Sequence, residues 1–233
     1  MTDEPAARGP RTSGAGATGA LADLGPGLLV MDVDSTLIDQ EVIELLAEHA
    51  GAREQVAEIT ARAMRGELDF AASLRERVAA LAGVPRRVLT QVRDEVRLTP
   101  GARDLIDSLH ARGCRVGVVS GGFEEVAVPL AERLGIDHVA ANRLEVAGGV
   151  LTGRVLGRIV DRQEKVRCLR TWAEQDGVPM ERTIAVGDGA NDLGMLAAAG
   201  LGVAFCAKPV VVEQADAAVH VRDLRAVLQL IRS

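Results

Sequence analysis

Short apolar runs that break off into acidic or glycine-rich polar clusters constrain this chain most. Leu28-Leu29-Val30-Met31 stops at Asp32, Arg115 to Val119 stops at Ser120, and Thr183 to Val186 stops at Gly187-Asp188. Runs this short and this continuously apolar suit strands buried on both faces, as in a parallel sheet. Gly202 to Phe205 reads as a fourth strand and Ala217 to His220 as a fifth. Helical patterns separate them at Gly101 to Arg112, Phe123 to Leu134 (with Pro129 as a possible kink), Asp161 to Gln175 and Ala190 to Ala199. Strand-helix alternation predicts an α/β fold, a doubly wound, mostly parallel Rossmann-like sheet.

Two segments interrupt the alternation. Residues 40–97 carry several helical stretches and read as a helical cap inserted after the first strand, which leaves 27–39 and 98–233 for the α/β core. Arg143 to Arg158 contains Gly148-Gly149 between apolar pairs, a hairpin signal. Residues 1–26 are rich in Ala, Gly, Thr and Pro without apolar period and predict a disordered tail.

In an open α/β sheet, ligands bind at the carboxyl ends of the strands. Here those ends read Asp32-Val33-Asp34-Ser35-Thr36, Ser120-Gly121-Gly122 and Gly187-Asp188-Gly189-Ala190-Asn191-Asp192. Asp32, Asp34, Asp188 and Asp192 therefore share one sheet edge. Four crowded carboxylates repel one another or take up protons unless a cation joins them. Oxygen donors favour a hard ion, and Mg2+ is the usual choice beside phosphate. A carboxylate such as Asp32 can attack phosphorus, and a second one two residues on, Asp34, can serve as acid and then base.

Composition narrows the classes. With 48% hydrophobic and 26% charged residues the chain can build a core, and its net charge of -6 with 2% aromatics disfavours nucleic-acid binding. Cys114, Cys168 and Cys206 are odd in number and far apart, which speaks against disulfides and for a cytoplasmic location. No apolar run approaches the ~20 residues of a membrane span, and no signal-peptide pattern opens the chain. Only Lys165 and Lys208 are lysine, so each draws attention. The four histidines are scattered and receive no role.

The DxDST run at Asp32 to Thr36, the strand-end Ser120, the helix Lys165 and the GDGxND run at Gly187 to Asp192 together resemble the haloacid-dehalogenase-like hydrolases. From Leu28 onward the chain is similar to the phosphoserine phosphatase family within them, including "ITARAMRGELDFAASLRERV" in the cap. The resemblance implies a Mg2+-dependent phosphomonoesterase acting on O-phospho-L-serine, in the last step of serine biosynthesis. Asp32 becomes the nucleophile, Asp34 the acid/base, and Lys165 a charge offset that holds Asp32 and phosphate. Asp32, Asp34, Asp188 and Asp192 become the metal site. Ser120, Gly121 and Asn191 are expected on the phosphoryl group, with Glu41 and Arg77 on the ammonium and carboxylate and Met64 and Phe70 covering the site. By residue type alone, Glu41 and Arg77 read as solvated helix charges. Lys208 is expected to be peripheral. The tail implies a minimal form without a regulatory domain, either monomer or homodimer. The alternative is a phosphotransferase that passes the phosphoryl group to another alcohol such as homoserine.

Overall fold

A computed structural model describes residues 12–231. Eight strands are described: β1 Thr12–Gly14, β2 Leu28–Met31, β3 Arg115–Phe123, β4 His138–Ala147, β5 Val150–Leu156, β6 Thr183–Gly187, β7 Leu201–Phe205 and β8 Ala217–Val219. They form one sheet in the order β1-β8-β7-β6-β2-β3-β4-β5. The six inner strands run parallel, and the edge strands β1 and β5 are antiparallel to their neighbours.

Eleven helices are described: α1 Gly19–Leu24, α2 Val42–Ala50, α3 Arg53–Met64, α4 Phe70–Ala79, α5 Arg87–Glu95, α6 Ala102–His110, α7 Glu124–Leu134, α8 Arg162–Gln175, α9 Leu193–Ala198, α10 Pro209–Val212 and α11 Arg225–Leu230. Strand β2 shows why the sheet is covered on both sides. Leu29 and Met31 join one apolar cluster with α6, α7 and α11, while Leu28 and Val30 join another with Leu169 and Trp172 of α8. All four are fully buried, and each such side chain contributes about 1.5–3 kcal/mol. The close approach of α8 needs Gly117, where an added Cβ would lie 2.8 Å from Trp172 Cζ3.

Helices α2 to α5 lie between β2 and β3, and their Leu46, Leu74 and Val92 belong to the same apolar cluster as the sheet. The β4–β5 hairpin binds this insertion: Gly83 N donates to Leu151 O at 2.8 Å, Leu151 N to Val84 O at 2.8 Å, and Arg86 N to Gly149 O at 2.8 Å. The hairpin turn falls at Gly148-Gly149, both with positive φ. Helix α7 runs unbroken through Pro129.

The expectation of a tail without structure as far as residue 26 is corrected in its second half. β1 pairs with β8, and α1 buries Leu21 at 1% exposure. Low-complexity composition hid this because the partner strand lies two hundred residues away and a three-residue strand has no period. Residues 1–11, the first half of that tail, lie outside the described chain. No described helix is long and apolar enough to cross a membrane.

Candidate active site

The chain leaves β2 through a tight, kinked turn. Asp32 and Asp34 are extended, Ser35 is left-handed at φ 56°, and Ile38 N closes the turn on Val33 O at 3.0 Å. A serine with positive φ costs about 1–3 kcal/mol unless its surroundings hold it. Here the Ser35 hydroxyl donates to Glu41 Oε1 at 2.6 Å and its amide to Gln40 O at 3.3 Å. The turn thus puts Asp32, Asp34 and Glu41 around one point.

Helix α8 and the loop after β6 complete the core side. Lys165 is fully buried and donates to Asp32 Oδ1 and Asp192 Oδ1, both at 2.6 Å. Asp161 caps α8 by accepting from the Gln163 and Glu164 amides, which sets the first turn from which Lys165 projects. Asp192 Oδ2 accepts from the Asp188 and Gly189 amides at 3.1 and 3.0 Å. Asp192 is therefore satisfied on both oxygens and ties the β6 loop to Lys165. Asp188 accepts from Thr36 Oγ1 at 3.3 Å.

At the end of β3, Ser120 is buried and its hydroxyl accepts from Gly122 N at 2.7 Å. A Cβ on Gly121 would lie 2.8 Å from Phe70 Cζ, and one on Gly122 would lie 3.0 Å from Asp34 Oδ2. Both glycines are needed for close approach. Asn142 of β4 was not foreseen. It donates to Gly121 O at 2.8 Å and accepts from Val160 N at 2.9 Å, bracing the β3 loop from behind.

Burial raises these carboxyls. Asp32 is pushed up to about 8 by desolvation, with Lys165 opposing and Asp192 and Asp188 adding repulsion. Asp34 is raised well above the carboxylate range by burial and then by Glu41 and Asp32. Asp188 rises to about 6 by burial, Asp192 and Glu41. Oxygens of Asp32, Asp188 and Asp192 lie within 4.8 Å of one another, and buried Asp34 Oδ1 has no hydrogen-bond partner among the described residues. One lysine does not balance this group. A hard cation fits these donors and would remove the cause of the raised values.

The insertion faces this edge. A cavity of about 150 Å³ is lined by Asp32, Asp34, Ser120, Gly121, Asp188 and Asn191 on the sheet side and by Glu41, Phe70 and Arg77 opposite. Among the described residues Arg77 is anchored only through Nε to Ser73 O at 3.3 Å, and burial lowers its pKa against the pull of Glu41 and Asp34. Lys165 stands behind this cavity rather than in its wall. Met64 does not line it. It is 70% exposed and borders a wider outer cleft with Arg162 and Lys208.

A family model for haloacid dehalogenase-like hydrolases matches residues 29–197. The chain belongs to the haloacid dehalogenase-like hydrolase family. Its relatives within it include the phosphoserine phosphatase of Streptomyces coelicolor, 62% identical over 88% of this chain and 50% of that protein. That of Streptococcus thermophilus is 53% identical over 88% of this chain and 95% of that one. A solved structure described as a phospho-aspartyl intermediate analogue of phosphoserine phosphatase superposes with a TM-score of 0.84. It is 43% identical and matched over 89% of this chain and 99% of the other. The chain spans about half the length of the Streptomyces relative and of a Mycobacterium tuberculosis one, each matched over 50% of its length.

Proposed function

We propose that this chain hydrolyses O-phospho-L-serine to L-serine and phosphate through an acyl phosphate on Asp32, and so performs the last step of serine biosynthesis. The observation that carries the reading is the pairing of Glu41 and Arg77 opposite the Asp32–Asp34–Asp188 edge across one small cavity. A phosphomonoester whose other end carries an ammonium and a carboxylate is complementary to both walls. A sugar phosphate satisfies only one.

Asp32, the Asp34 carbonyl and Asp188 would hold Mg2+, with Asp192 behind them. Bound there, the ion offsets the carboxylate charge and polarises the phosphoryl oxygens. The remaining work falls to the chain. Lys165 opposes the burial that protonates Asp32 and holds its carboxyl in place. Asp32 forms a bond to phosphorus as the bond to the serine oxygen breaks, and Asp34 delivers its proton to that oxygen. Burial and the neighbouring Glu41 favour the protonated form of Asp34 that this step uses. Asp34, now a carboxylate, takes a proton from water, whose oxygen attacks phosphorus and releases Asp32. Ser120, the Gly121 amide and Asn191 steady the phosphoryl group, while Phe70 and the helices of 40–97 act as a cap that limits bulk water. Met64 reaches the site only if that cap moves inward. Three free cysteines support a cytoplasmic setting.

The test is phosphate release from O-phospho-L-serine with Mg2+, against EDTA-treated protein and Asp32→Asn. Release that needs both supports the reading. Formation of a phosphorylated alcohol in place of phosphate would replace hydrolysis by phosphotransfer.

A further inference from the structure

The turn that carries Asp34, Ser35 and Glu41 is held from two sides. On the insertion side, Gln40 spans the two linker segments: its Nε2 donates to Glu95 O at 3.2 Å and its Oε1 accepts from Arg97 N at 3.0 Å. Backbone bonds from Asp39 N to Arg97 O and from Thr99 N to Leu37 O zip the same segments. On the core side the Thr36 hydroxyl donates to Asp188 Oδ1 at 3.3 Å, and a residue far along the chain makes three further bonds. Arg222, just beyond β8, donates through Nε to Asp39 Oδ1 at 2.7 Å, through Nη1 to Ser35 O at 3.3 Å and through Nη2 to Ile38 O at 3.2 Å.

This is an arginine fork closed on three acceptors of one loop. The Arg222 side chain is 37% exposed, and ion pairs this open add little to stability. Its geometry matters more than its strength. Ser35 sits in the left-handed region, and its hydroxyl is the hydrogen-bond donor to Glu41 Oε1. With its carbonyl released, Ser35 can relax to an ordinary φ, which swings the hydroxyl away and frees Glu41.

We propose that Arg222 is a positioning residue that sets substrate selectivity by holding the Asp39–Ser35 turn, and through it the aim of Glu41. The inference rests on the reading of Glu41 as the partner of the substrate ammonium. It assigns to the segment after β8 a share in recognising a group that it never touches.

The experiment compares kcat and KM on O-phospho-L-serine and on p-nitrophenyl phosphate, which has neither ammonium nor carboxylate. The variants are Arg222→Met, Asp39→Asn, Glu41→Gln and the double variant Arg222→Met/Glu41→Gln. Arg222→Met is expected to raise KM for O-phospho-L-serine about tenfold with kcat nearly unchanged, and to leave p-nitrophenyl phosphate within about twofold. Asp39→Asn, which removes the acceptor's charge but keeps an acceptor oxygen, is expected to show the same selectivity at lower amplitude. The double variant should be no worse than Glu41→Gln alone, because the two act in series. Equal losses on both substrates, or additive losses in the double variant, overturn the role of Arg222. A selective Glu41→Gln beside a silent Arg222→Met overturns it alone. A Glu41→Gln without selectivity overturns the reading of Glu41 itself and the role of Arg222 with it.

Discussion

The carboxyl edge of the sheet and the helical insertion face each other across one cavity, but they hold their side chains in opposite ways. On the sheet, Lys165, Asp32 and Asp192 are buried and locked by bonds of 2.6 Å, and Asn142 braces the loop behind. On the insertion, Arg77 has one long bond to its own helix and Met64 lies largely in solvent. A reacting centre must be placed to a fraction of an ångström, so its residues are over-determined. A recognition surface that admits and releases substrate can be looser. Under the proposed function, the sheet decides whether chemistry occurs and the insertion decides on what.

Substitutions test that division in order of size. Asp32→Asn should lower turnover by about 10⁴-fold on every phosphomonoester, read as steady-state phosphate release. An effect confined to O-phospho-L-serine would break the comparison. Lys165→Met should cost about 10³-fold on every substrate. It should also destabilise the fold by about 3–5 kcal/mol in urea unfolding, because two buried carboxylates lose their counter-charge. Arg77→Ala should raise KM for O-phospho-L-serine about 10²-fold and leave p-nitrophenyl phosphate within about threefold. A uniform loss would move Arg77 into the chemistry.

The sheet edge also responds to pH. Asp188 and Asp32 titrate in the fold at about 6 and about 8, above their ordinary 3.8, because burial and mutual repulsion favour the protonated form. A carboxyl raised in this way lends stability that is complete below 3.8 and is lost as pH rises through the folded value. The melting temperature of the metal-free protein should therefore fall as pH climbs from about 3.8 to about 8, most steeply below about 6 where both groups contribute. Mg2+ should flatten that slope, since it favours the ionised carboxylates. The smallest expected effect belongs to Met64→Ala. Its exposure predicts a stability change within about 0.5 kcal/mol and a change in KM below about threefold.

The sheet edge was legible in the sequence for a local reason. An apolar run long enough for one buried strand ends where its first polar residue appears, so Asp32, Ser120 and Asp188 could be placed at strand ends without knowing their neighbours. The Gly148-Gly149 turn was equally local. What was not legible depends on partners far away in the chain. β1 makes sense only beside β8, Asn142 only beneath the β3 loop, and Arg222 only across from Asp39. Met64 and Arg77 stand in one cap motif, yet only Arg77 reaches the central cavity, a difference set by the packing of α3 and α4 rather than by residue type. Helix α7 continues through Pro129, where the sequence allowed a kink, and it packs against the same apolar cluster as the sheet.

The measurement that bears most directly on the central claim is a search for the covalent intermediate. The protein would be mixed with O-phospho-L-serine and Mg2+, quenched in acid within one turnover, digested and mapped by mass spectrometry. The expected result is a base-labile phosphoryl group on the peptide that carries Asp32, absent from Asp32→Asn and from metal-free samples. Rapid phosphate release with no phosphorylated peptide, retained in Asp32→Asn, would contradict it.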